Sequence, residues 1–164
     1  MTEFRVEIEV EESPVSNTGS AIFVTLVADG KKMEDILDIH EFYRSLSNEG
    51  VFEYFTCTCG IFGCGGFYSK VKHTESAYVL ENLYAPENDF VEDEMLESFT
   101  YEVSWSNILE VAEEVYKSIE AYFSNNVGGE LTVGVAGGYL KPYLSEFRNQ
   151  TDTVKAQKTP NTLT

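Results

Sequence analysis

Phe4, Val6, Ile8 and Val10 alternate with Arg5, Glu7, Glu9 and Glu11. That period of two places one face of a strand on a core and the other in water. After a turn through Ser13-Pro14 to Gly19, residues 21–28 read Ala-Ile-Phe-Val-Thr-Leu-Val-Ala, too apolar on both faces for a sheet edge, and Asp29-Gly30 closes the run. These two strands are expected to pair as neighbours. From Met33 to Leu46 the period changes: Ile36, Ile39, Tyr43 and Leu46, with Phe42 beside them, fall on one helical stripe. Asp38 followed by Glu41 has the spacing of a capping box, so the regular helix is predicted to begin near Ile39 and to stop at Asn48-Glu49-Gly50.

Further strand patterns follow at 51–59, 67–73, 77–84 and, after an acidic loop from Pro86 to Glu97, at 98–105. Ile108, Leu109, Val111, Ala112, Val115, Tyr116, Ile119, Tyr122 and Phe123 then form the wide apolar face of a long helix. Asn107 with Glu110 resembles its cap, and Asn125-Asn126 and Gly128-Gly129 end it. Residues 131–135 predict a short strand. The Gly137-Gly138 pair that follows is not a phosphate loop, because Tyr139-Leu140 stands where Lys-Ser/Thr would be needed. Residues 139–147 allow a short amphipathic helical turn, and from Arg148 onward Thr, Lys, Gln and Asn dominate without an aromatic residue. The expectation is one α+β domain over 1–147, mainly antiparallel sheet with two amphipathic helices packed on it, and a disordered tail over 148–164.

Length adds that a core of ordinary size is available without disulfide or metal support, since the chain has 164 residues. No apolar run reaches the roughly 18 residues of a membrane span, and the N-terminus lacks the basic start and apolar block of a signal peptide, which points to the cytoplasm. Charge changes the picture more. Eleven Lys and Arg against 28 Asp and Glu give −17, and between Glu75 and Glu120 thirteen acids face one base, Lys117. Such a surface repels nucleic-acid phosphates and anionic lipid and steers a basic protein toward it. Solvation alone is the plainer role of these charges. Among them, Glu92, Asp93 and Glu94, with Trp105 as an aromatic anchor, are the candidate partner-binding residues.

All three cysteines fall within Cys57-Thr58-Cys59-Gly60-Ile61-Phe62-Gly63-Cys64-Gly65-Gly66. Core cysteines would be scattered, whereas this run places three sulfurs about one tight turn. In a reducing compartment an odd set leaves thiols or metal ligands rather than a disulfide framework. With His73 as fourth donor, Cys57, Cys59 and Cys64 would make the soft tetrahedral Cys3His set that suits zinc. The spacing is only half of a double-knuckle pattern, and both His73 and His40 also read as simple surface residues. A thiol-dependent enzyme is the other alternative, but acidic and aromatic surroundings push a thiol pKa upward and away from the nucleophilic form.

The same run, with the Glu41-Phe42-Tyr43 helix upstream and the Tyr101 to Trp105 strand downstream, resembles that of small uncharacterised bacterial proteins. A looser likeness is to immunity proteins of bacterial toxin systems, many of them acidic single α+β domains. No activity comes with either resemblance. Together the readings give a non-enzymatic, acidic domain expected to bind a basic protein, with a zinc-stapled module as the second reading.

Overall fold

A computed structural model describes residues 1–12, 19–62, 65–83 and 98–158. The alternation at the N-terminus forms β1 (Phe4–Glu12), which pairs antiparallel along its whole length with β2 (Gly19–Ala28), Phe4 opposite Ala28 and Glu12 opposite Ser20. Asp29 and Gly30, at φ +47° and +82°, turn the chain back into β3 (Lys31–Lys32) on the other edge of β2. β4 (Ile36–Leu37), β5 (Gly50–Thr56), β6 (Phe67–His73), β7 (Ala77–Asn82) and β8 (Thr100–Ser104) form a separate five-stranded antiparallel sheet in chain order. The expected α+β class with mainly antiparallel sheet is the one observed.

Between β4 and β5 lies α1 (Ile39–Ser47), starting where the capping spacing placed it: the Asp38 side chain accepts from the Glu41 amide at 3.1 Å. Ile39, Phe42, Tyr43 and Leu46 are buried. Beneath them Ser45 Oγ, Tyr78 Oη and Tyr54 Oη form a chain of buried hydroxyls at 2.6 and 3.1 Å, so the polar tips of two core tyrosines are satisfied.

The long helix α2 (Trp105–Asn125) begins three residues earlier than its apolar face implies. Its N-cap is Ser104, whose hydroxyl accepts from the Asn107 amide at 3.2 Å. Asn107 has another task. The Phe4 amide donates to its Oδ1 at 2.7 Å and its Nδ2 donates to the Phe4 carbonyl at 2.9 Å, which ties the start of β1 to α2. After α2 comes β9 (Glu130–Val133), parallel to β2, then a 3-10 turn at Lys141–Tyr143 and a third helix, α3 (Leu144–Lys158).

That third helix corrects the expectation of a disordered tail from 148. Leu144, Phe147, Thr151 and Val154 recur at helical spacing, and the last three are buried. Arg148 holds the helix to α2, donating to both carboxylate oxygens of Glu113 at 2.7 and 3.0 Å while its guanidinium lies 4.0 Å over the Tyr116 ring. Residues 159–164 lie outside the described part. Among the described residues no helix is long and apolar enough to cross a membrane.

Candidate functional site

β5 ends at Thr56, and the chain then enters the cysteine turn, where the Gly60 amide donates to the Cys57 carbonyl at 2.9 Å. Gly60 has φ +82°, and a Cβ built on it would stand 1.8 Å from the carbonyl oxygen of Val133. The reason is the segment after β9, which runs directly against this turn. The amides of Val135 and Ala136 donate to the carbonyls of Thr58 and Cys59 at 3.0 and 2.7 Å, and the Gly137 amide closes onto Val133 at 3.0 Å. The two glycine runs that look unrelated in sequence are thus one junction, backbone on backbone, with no room for side chains between.

His40, in the first turn of α1, closes the other side of this junction. Its half-buried ring meets Tyr143 and Phe147 edge-on at 4.8 and 5.4 Å, and a Cβ on Gly138 would come within 3.0 Å of its Nε2. Burial holds the imidazole pKa below its usual value. His40 is therefore a packing residue of the α1, 3-10 and α3 contact rather than an exposed one.

The thiols sit within the turn. Cys57 and Cys59 are both half-buried, and Cys59 Sγ accepts from the Ile61 amide of its own loop at 3.4 Å. Cys64 lies outside the described residues. His73 does not join them: β5 and β6 run antiparallel with Phe55 opposite Phe67, so the turn lies beyond the Phe67 end of β6 and His73 stands six residues along at the far end. Six strand residues span about 20 Å, too far for a shared ion. Instead His73 Nε2 donates at 2.8 Å to the Ser45 carbonyl, one of the carbonyls left open in the last turn of α1. Among the described residues no three His, Cys, Asp or Glu side chains gather as a metal would need.

Trp105 also departs from its expected role. It is the first residue of α2, only 4% exposed, with its indole N–H donating to the Thr74 carbonyl at 3.0 Å and Lys158 Nζ 4.8 Å over the ring. A ring used this way cannot anchor a partner. The position directly before a helix stripe hid this from sequence, because a β-pattern and the first turn of a helix share the residue. Glu92, Asp93 and Glu94 lie outside the described residues.

What remains at the surface is charge. Arg5 and Lys32 are engaged by Glu7, Arg44 by Glu41, Lys72 by Glu81 and Arg148 by Glu113, so much of the chain's small stock of cations is spent on its own carboxylates. Glu9, Glu11 and Glu12 on β1 and Glu110, Glu114 and Glu120 on α2 are exposed. One acid behaves differently. Asp38, capping α1 with Glu41 and Glu53 nearby, has its carboxyl pushed up to about 6, mainly by burial and partly by those like charges.

Because Asp38 binds its proton more tightly when folded than its ordinary value of 3.8 allows, the fold holds an extra proton between about pH 4 and 6. Stability is then greatest below that window and falls as pH rises through it, by about 3 kcal/mol. Asp38→Asn keeps a capping oxygen without the charge. We expect the variant to be more stable than the wild type at pH 7 and to lose this slope, as read by urea unfolding at pH 4, 5, 6 and 7. An unchanged slope would mean that the carboxyl is solvated in solution.

Compared with family models, with curated proteins and with solved structures, the chain shows no significant match.

Proposed function

We propose that this protein is a non-catalytic, acidic binding domain that captures a basic protein, the role of an immunity-type antagonist toward a basic toxin or effector. The observation that supports it is the uncompensated charge: a net −17 on a chain in which at least five of the eleven cations are engaged by its own carboxylates, leaving acidic side chains exposed on two elements, β1 and α2. Such a field raises the rate at which a cationic partner meets the surface and does little to hold the partner once it is docked. The cysteine turn plays no chemical part in this reading. Its glycines bring two loops together, and Cys57 and Cys59 sit half-buried beside them.

The test is capture at low salt from the native host, followed by association kinetics with the recovered protein. A basic partner is expected whose association slows about tenfold or more as salt rises to physiological strength, while its dissociation rate changes little. Neutralising Glu110, Glu114 and Glu120 to Gln should reproduce part of that slowing at low salt. Recovery of no basic protein, or a triple variant altered in solubility alone, would leave the acids as a solvating surface and defeat the proposal.

A further inference from the structure

We infer that the outer edge of β1, over Ile8 to Glu12, is the docking edge of this domain, and that its occupant is an extended segment of a basic partner in which apolar and basic residues alternate. The inference rests on the protein-binding reading and specifies where and how the partner is held.

Hydrogen bonding around the start of β1 shows which of its amides face outward. The Thr2 amide donates to the Glu102 carbonyl at 2.8 Å, and both backbone groups of Phe4 are taken by Asn107, away from β2. In an antiparallel pair outward-facing residues alternate, so Val6, Ile8, Val10 and Glu12 present their backbone groups to the same side. β8 and Asn107 cover that side only as far as Phe4. Beyond it β1 pairs with β2 alone, and the outward groups of Ile8, Val10 and Glu12 have no partner among the described residues.

Unpaired edges are ordinarily blunted by a proline, a bulge, a lysine or a very short strand. β1 has none of these: it is nine residues long and its register to β2 is unbroken. Its device is negative charge. Glu7, Glu9 and Glu11 line one face of the strand; Lys32 pairs with Glu7 at 2.9 Å and reaches Glu9 only through a weaker, longer-range attraction, and among the described residues no ion pair is formed by Glu9, Glu11 or Glu12. The opposite face carries Ile8, packed partly on the core, and Val10, 45% exposed.

This pattern selects an occupant. A second copy of the chain added at the same edge would bring Glu onto Glu, which is unfavourable for directly opposed strand residues. A strand with Lys or Arg at every second position would set cations against Glu9 and Glu11 and its apolar side chains beside Ile8 and Val10, extending the core face by one strand. Main-chain hydrogen bonds would then supply affinity, and the two faces specificity.

The edge is tested with the full chain and a capped peptide of alternating lysine and valine, about as long as the exposed edge, by titration calorimetry at low salt. Two N-methylated forms of the same peptide, each lacking alternate amide donors, keep the charge unchanged. One form is expected to bind about tenfold or more weakly and the other as the parent does, because only one set of donors faces β1. Val10→Pro, which removes an outward donor at a position where an edge strand tolerates proline, should weaken the parent peptide to a similar degree, and Glu9→Gln with Glu11→Gln should flatten its salt dependence.

Equal binding of all three peptides would overturn the edge while leaving the acidic capture reading intact. Failure of the parent peptide to bind would also overturn it, and the capture experiment decides the broader reading separately. A concentration-dependent dimer abolished by Val10→Pro would assign the edge to a second copy instead. Binding that emerged only after removal of residues 159–164 would assign it to the chain's own terminus. The peptide arms need no variant, so they stand even if Val10→Pro fails to fold.

Discussion

Gly60→Ala is expected to destabilise the fold by about 4 kcal/mol, whereas Gly30→Ala should cost only about 1 kcal/mol. The two glycines share a φ of +82°, so the backbone penalty of forcing an L-residue into the left-handed region is common to both. They differ in what a methyl group meets. At Gly30 nothing lies within 4 Å, whereas at Gly60 the new Cβ falls 1.8 Å from the Val133 carbonyl oxygen and 3.0 Å from the Gly137 Cα. Those are backbone atoms, held by the bonds from Val135 and Ala136 to the cysteine turn, and they cannot swing aside as a side chain would. Urea unfolding of both variants separates the terms. Equal losses at the two positions would mean that the junction opens in solution and that the close approach adds nothing.

Removing residues 150–164 is expected to cost about 3 kcal/mol or more, a melting-temperature drop of about 10 °C for a chain of this size. Composition alone predicts no loss, since the segment has no aromatic residue and few apolar ones. The structure reverses the sign because Thr151 and Val154 are each 1% exposed in the contact with the rest of the fold, and Thr151 Oγ1 also bonds back to the Phe147 carbonyl at 2.8 Å. The truncated helix would end at Asn149, one residue past Arg148, and fray there, weakening the Arg148 pair with Glu113 and exposing Phe147, which stacks on Tyr43 at 4.4 Å. Differential scanning calorimetry of the truncated chain gives the answer. A melting temperature within about a degree of the full chain would show that α3 adds no stability beyond its first turns.

Much of the architecture was legible in local pattern. The alternation at Phe4 to Val10, the pairing of the first two strands, the start of α1 at Asp38 and the strand at Phe67–His73 all follow from periodicity and capping, which act within a few residues and so are written in the order of the chain. The third helix had its signal too. Leu144, Phe147, Thr151 and Val154 keep a helical stripe, but threonine at a core position and the surrounding Lys, Gln and Asn made the composition resemble a tail.

The sites were less legible, because they depend on which distant segments meet. Cys57 to Gly60 and Val133 to Gly138 are separated by more than seventy residues, and only the parallel pairing of β9 with β2 brings them into one junction. His73 looked like the nearest fourth ligand along the chain, yet antiparallel pairing of β5 with β6 carries it to the opposite end of the sheet and under α1. Trp105 looked like an exposed anchor on a strand, but the helix begins at Trp105 itself, three residues before its apolar stripe, and turns the ring inward. Sequence by itself therefore determined most of the elements, the class of fold and the sign of the surface charge, since these depend on local periodicity and on composition. Tertiary structure alone decided what the glycines, histidines and tryptophan do and which strand edge stays open, because those depend on contacts between residues far apart in the chain.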